Sequence, residues 1–428
     1  MSIPRQIYDL MMAGAQSYAR WDIETSLRIL HERRRMMLLG LMLLPIALIG
    51  VVFAGPVGDA LPAILGSKQA YGPAHYTTTI FLASIAVGVV AGLITGCIGA
   101  GGGFIIAPAL MSAGVKGILA VGTDLFHIFA KAIMGSVLHR KLGNISIALA
   151  VTFLVGSIAG ATVGGTINRT LYEMNPVLSD AFITTIYVFI LGFLGFYGMA
   201  DYFRSRKAAI APAKVCESAA PATYDDMTGL AHKLQSVNLP PMIRFDEGVV
   251  PGGRRISGMF LVLSGFVVGI AAAIMGVGGG FLTFPIFVYV LGVSASTTVG
   301  TDILQIVFTA GYAGIGQYAI YGFIFYTLAM GMLLGSLIGI QIGTLVTKVV
   351  SGVTIRGFFA LAVMSAFVNR VFALPGKLAA MDYIPLAKET AATIENVGIG
   401  IFFVTLSSFA VWVIWTFVAN IKTLKVED

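Results

Sequence analysis

The sequence predicts an all-α polytopic membrane protein built from two related units, and three observations carry that reading. Hydrophobic residues make up 57% of the chain and charged residues 11%, with a mean hydropathy of +0.90. A water-soluble fold of 428 residues needs far more charge to cover its surface. The apolar residues fall into blocks long enough to cross a bilayer, which takes about 20 helical residues each. Finally, three motifs recur in the same order in the two halves of the chain.

The blocks lie at 36–54, 80–98, 104–121, 123–139, 145–168, 180–203, 257–275, 281–299, 301–319, 323–347, 353–372 and 397–420. Before them, residues 1–35 are amphipathic, with Ile7, Leu10, Met11, Trp21, Leu27 and Leu30 among polar residues, and end in Arg33-Arg34-Arg35. Two readings are open for this segment, a helix on the cytoplasmic membrane surface and a mobile tail. The first block starts at Met36, behind an N-region too long for a cleavable signal. With all twelve blocks crossing, Arg33–Arg35, Arg140-Lys141, Arg204 to Arg255, Lys348, Arg356, Lys422 and Lys425 fall on one side with both termini. The positive-inside rule makes that side cytoplasmic. If 104–121 and 281–299 did not cross, Arg140-Lys141 and Arg204–Lys207 would move outside, so twelve crossings fit better, with those two blocks as broken helices. The net charge of +7 is thus a topology signal and not one for nucleic acid.

The duplication is read from residues. Gly99-Ala-Gly-Gly-Gly103-Phe104 with Pro108 matches Gly276-Val-Gly-Gly-Gly280-Phe281 with Pro285, at 276 − 99 = 177. Val121-Gly-Thr123-Asp124 matches Val299-Gly-Thr301-Asp302, at 299 − 121 = 178, and Gly156-Ser157, Gly160, Gly164 match Gly335-Ser336, Gly339, Gly343, at 335 − 156 = 179. The predicted organisation follows: 1–35 cytoplasmic segment, 36–79 first span and periplasmic loop, 80–203 first unit, 204–256 cytoplasmic linker, 257–372 second unit, 373–428 loop, last span and cytoplasmic tail. Five spans per unit, an odd number, invert the second copy, a common transporter plan with the substrate between the repeats.

The candidate site residues follow from the repeats. Gly101, Gly102 and Gly103, and Gly278, Gly279 and Gly280, allow unwound backbone beside a cavity and expose N–H groups at a half-helix start, which suits an anion; the plainer reading is a tight turn with close packing. Thr123-Asp124 and Thr301-Asp302 follow a glycine and open helices, as N-caps or as a hydroxyl ligand and a protonatable carboxylate. Asp124, His127 and Lys131 share one helical stripe, whose counterparts are Asp302, Gln305 and Thr309. Lys131 lies mid-span and needs an acid, a carbonyl or a bound anion. The Gly156 and Gly335 stripes are read as helix-packing faces. Cys97 is read as packing, with reaction at a sulfur substrate as the alternative.

The doubled Gly-x-Gly-Gly-Gly-Phe…Pro followed by Val-Gly-Thr-Asp resembles the TauE/SafE family of sulfite-exporter and toluene-sulfonate-uptake permeases. The resemblance covers roughly 80–203 and 257–372. It implies movement of small sulfur-containing anions (sulfite, sulfate, thiosulfate or organosulfonates) across a bacterial inner membrane, and it brings forward Gly99–Phe104, Thr123, Gly276–Phe281 and Thr301 as cavity positions. Many members have Ser where this chain has Asp124 and Asp302.

The expected function is therefore a secondary anion transporter working by alternating access, with protons as a candidate coupling ion and no cofactor. A passive anion channel is the first alternative. A thiol-dependent sulfur-transfer protein using Cys97 is a weaker one, since the sequence offers no metal-spaced cluster and no nucleophile–base pair, so the chain is not expected to be an enzyme. A receptor whose output is the 204–256 segment is a third.

Overall fold

The computed structural model describes residues 78–98, 103–141, 146–210, 229–246, 253–346, 349–350 and 352–420. The expectations for residues 1–77, including the first block at 36–54, and for Gly101 and Gly102 lie outside these. The first unit is α1 (Thr78–Ile98), α2 (Gly103–Ser112), α3 (Gly117–Lys141), α4 (Ile147–Met174) and α5 (Pro176–Ile210). A short helix α6 (Gly229–Ser236) and a hairpin of β1 (Met242–Phe245) with β2 (Arg254–Ser257) follow. The second unit is α7 (Gly258–Met275), α8 (Gly280–Pro285) with a π-turn at Ile286–Val290, α9 (Ala295–Gly311), α10 (Tyr326–Val346) and α11 (Gly352–Ala380), and α12 (Lys388–Ala419) closes the described chain.

The described residues are almost all helical, consistent with an all-α membrane protein, and this linker hairpin is the one sheet among them. In an apolar chain a polar linker gives no strong periodic signal, and two four-residue strands are too short to show one. Among the described residues seven segments are long and apolar enough to cross a membrane. They correspond to the blocks at 145–168, 180–203, 257–275, 301–319, 323–347, 353–372 and 397–420. The helix at 80–98 is apolar over the shorter stretch Phe81–Cys97, and α3 carries the polar stripe. The block at 104–121 is divided at Ala113–Lys116 and the one at 281–299 at Leu291–Ser294. At about 1.5 Å per residue, ten-residue α2 is about 15 Å long, half the roughly 30 Å hydrocarbon core, so neither half-helix crosses alone.

The two units interlock through their glycine stripes. A side-chain carbon at Gly156, Gly160 or Gly164 of α4 would run into the α7 backbone at Val262, Phe266 and Ile270. One at Gly335, Gly339 or Gly343 of α10 would meet the α1 backbone at Ile85, Val89 and Leu93. The partner helices return the approach, with Gly265 and Gly269 against Phe153 and Ser157, and Gly88 and Gly92 against Met332 and Ser336. Each unit thus lends its fourth helix to the first helix of the other, and residue numbers rise together along both pairs. Lipid supplies no hydrophobic drive between helices, so such backbone-to-backbone contact is what holds them.

Corresponding helices run the other way. Gly311, Gly314 and the α9 continuation at Tyr318 lie against Phe129, Leu125–Phe126 and Gly122 of α3. Gly192, Gly195 and Gly198 of α5 lie against Phe367, Met364 and Ala360 of α11. In both pairs one number rises as the other falls, so α3 is antiparallel to α9 and α5 to α11. Large apolar side chains such as Val155, Phe189, Phe193, Leu263, Val404 and Trp415 are exposed on the outer helices, as a lipid-facing belt requires.

Candidate functional site

The second glycine run shows how the fold tolerates a helix break at its centre. Gly276 caps α7 with φ 78°, and Gly278 and Gly279 follow at 68° and 89°, a region that only glycine enters without strain. The carbonyls freed at the end of α7 find side chains. Tyr318 donates to Ala273 O at 2.6 Å, Asn168 to Ile274 O at 3.1 Å, and the Tyr187 hydroxyl to Met275 O. Val121, Ile128 and Val268 press close on Gly276, Gly278 and Gly279, while the α-carbon of Gly280 faces the Asp302 carboxyl and Ile306. From the first run, Gly103 starts α2 against Val277 and Ile128. The contacts around these glycines are those of close packing, with one acid at the edge.

Thr123-Asp124 and Thr301-Asp302 do not open helices, as the sequence suggested. They are the seventh and eighth residues of α3 and α9. Both helices start earlier, each with an aspartate from elsewhere at its start; at α9 it holds the N-cap Ser294, whose Oγ accepts from Thr297 N. Asp180 of α5 accepts from Gly117 N at 2.7 Å, and Asp246, after β1, accepts from Ser294 N at 2.8 Å and Ser294 Oγ at 2.6 Å. Each has a cation beside it, Lys377 at 3.5 Å and Arg254 at 3.7 Å. The threonines cap after all, but across the units: Thr123 Oγ1 accepts from Phe325 N at 3.0 Å, just before α10, and Thr301 Oγ1 from Ser146 N at 3.0 Å, just before α4.

The stripe in the first unit comes together as the spacing predicted. Asp124 and His127 are buried, with His127 Nδ1 3.6 Å from Asp124 Oδ1. His127 Nε2 lies 2.7 Å from Ser336 Oγ on α10, and that hydroxyl donates to Met332 O at 2.6 Å. With the Ser336 hydrogen committed, Nε2 is the donor to Ser336, and Nδ1 is left facing the carboxyl. Two bare lone pairs repel, so a proton on either group would relieve the contact. Among the described residues neither Asp124 oxygen completes a well-aligned hydrogen bond, although the Ala107 backbone stands near bonding position. Asp124 lies beside the backbone of Ala107, and half-buried Lys131, one turn on from His127, is near enough to act on both groups electrostatically.

The counterpart stripe is satisfied. Gln305 Nε2 donates to Asp302 Oδ1 at 2.8 Å and approaches Thr283 Oγ1 at 3.4 Å, while Thr283 donates to Gly279 O at 3.0 Å. Thr309 donates to Gln305 Oε1 at 2.9 Å and shares a 2.7 Å hydrogen bond with Ser157 of α4. Ser157 and Ser336 occupy equivalent places, so each stripe is finished by a serine from the other unit. The face of α3 that packs on α9 is opposite to its polar stripe at 100° per residue, so the two stripes look away from each other.

Three groups escaped the sequence reading. Arg370 is buried on α11 beside α2, next to Asn369 and Ser112; an Arg deep in an apolar block is the available signal. Tyr187 and Asn168 gave none. Cys97 is buried and donates to Gly343 O at 3.3 Å, across the α1–α10 contact.

The sequence pattern of the family described as sulfite exporter TauE/SafE matches residues 84–370. "Probable membrane transporter protein YjnA" of Bacillus subtilis (strain 168) is 25% identical over 260 residues, 61% of this chain and 87% of that protein. "Probable membrane transporter protein YunE" of the same organism is 31% identical over 128 residues, 29% of this chain and 46% of that protein. No solved structure matches the chain.

Proposed function

Because the chain belongs to the TauE/SafE family, we propose that it is a secondary transporter of a small sulfur-containing anion in the bacterial inner membrane, coupled to protons at the Asp124–His127 pair. Its two relatives bear the name of membrane transporters, and the apolar helices make it a multi-pass membrane protein. The observation that carries the mechanism is the antiparallel run of α3 with α9 and of α5 with α11. It supports two inverted units that exchange an inward-open for an outward-open arrangement. A proton gained by the pair offsets negative charge that would otherwise repel the substrate, so anion and proton move together.

The test is flux of labelled sulfite, sulfate and thiosulfate in proteoliposomes, with and without a pH gradient, beside a Lys131→Gln variant. The reading expects uptake of at least one anion to rise with the gradient and to fall in the variant. Equal flux with and without the gradient would make the protein a passive channel. No flux of these or of a short alkanesulfonate, from folded protein, contradicts transport of sulfur anions.

A further inference from the structure

Arg370 is 1% exposed, and its hydrogen bonds all go to neutral groups. Nη2 donates to Ser112 Oγ at 2.7 Å, to Pro108 O at 3.2 Å and to Asn369 Oδ1, and Nε donates to Asn369 Oδ1 at 2.7 Å. Nη1 makes no hydrogen bond to the described residues, and none of their carboxylates reaches ion-pair distance. The ionisable groups that face it at longer range are Tyr187 and Asp180 on α5 and Glu395 on α12. Asp180 is already engaged by Lys377 and Gly117 N, and the Tyr187 hydroxyl is spent on Met275 O. Glu395 acts on it only from beyond ion-pair distance; a guanidinium taken out of water with no carboxylate in contact is costly, and buried cations in spans are paired or line a substrate path.

The neighbours place this charge at the first half-helix. Pro108 and Ser112 belong to α2, whose Ala107 backbone lies beside Asp124, and Tyr187 stands within electrostatic reach of both Asp124 and Arg370. Arg binds tetrahedral or planar oxyanions through parallel N–H bonds, with a fixed fork that an ammonium lacks. We propose that Arg370, with Ser112 and Asn369 orienting it, is the charge partner of the transported oxyanion. This rests on the anion-transport reading above and moves the substrate's charge contact from Lys131 to a residue on α11.

Asn369→Asp is the discriminating variant, because it sets a permanent carboxylate where Nε and Nη2 already point. It should fold with a Tm at or above that of the parent and lose sulfite affinity and flux by at least about tenfold, the scale of one charge-assisted contact. Sulfite binding and flux at the parent level in Asn369→Asp would overturn the proposal and leave transport standing. Should that variant not fold, Arg370→Gln decides in the same way. In the unaltered protein, bound sulfite should slow amide exchange over residues 109–117, and binding without that slowing also overturns it. If the parent neither binds nor carries sulfite, sulfate or thiosulfate, the transport reading and this one fall together.

Discussion

In the first unit Asp124 is sealed from solvent, and among the described residues no side chain hydrogen-bonds to either oxygen. In the second, Asp302 holds a 2.8 Å bond from Gln305, which is itself braced by Thr309 and approaches Thr283. The two acids stand at equivalent places on helices of equivalent packing, each one turn from the residue that completes it. An unsatisfied buried polar group costs about 1–3 kcal/mol. The proposed reading separates two tasks on one scaffold: the Asp302–Gln305–Thr309 chain joins α9 to α8 through Thr283 and to α4 through Ser157, and Asp124 is the acid proposed to take up and release a proton.

That comparison assumes equal scaffolds, and the largest predicted effect tests the assumption. Gly160→Leu and Gly339→Leu each put a side chain into facing backbone, at Phe266 and Val89 respectively. Both should abolish monodisperse protein in detergent, because overlap with backbone cannot be relieved by a rotamer change. If one variant folds and the other does not, the units are not held alike. A smaller effect should be equally symmetric. Thr123→Val and Thr301→Val remove the acceptors of Phe325 N and Ser146 N and should each cost about 1–2 kcal/mol, read as matched falls in Tm. Unequal falls would show that one cross-unit cap matters more than the other.

How much of this was legible beforehand depends on whether a feature repeats. The glycine stripes and the Asp124–His127 stripe come from spacing along one helix, and the structure returns them as read. Thr123 and Thr301 were recognised as caps but given to their own helices, because a hydroxyl's reach to Phe325 N, 202 residues away, leaves no local pattern. Asp180 and Asp246, which hold the starts of α3 and α9, are not equivalents in the duplication, so the repeat could not reveal them. Arg370 has the same weakness. Its partners Pro108 and Ser112 lie 262 and 258 residues away, and a cation deep in an apolar block says only that it needs a partner. The linker reads as a loop or small surface module, and nothing local in it marks the hairpin that positions Asp246.

The division of labour between the two acids is tested most directly by pH-gradient-driven uptake of labelled sulfite in matched proteoliposomes of Asp124→Asn and Asp302→Asn. Asn at 302 still offers an oxygen to Gln305, so uptake there should stay within about threefold of the parent. Asn at 124 cannot exchange a proton, so gradient-driven accumulation should fall at least about tenfold while sulfite–sulfite exchange continues. Equal losses in the two variants, or the larger loss in Asp302→Asn, would contradict the account.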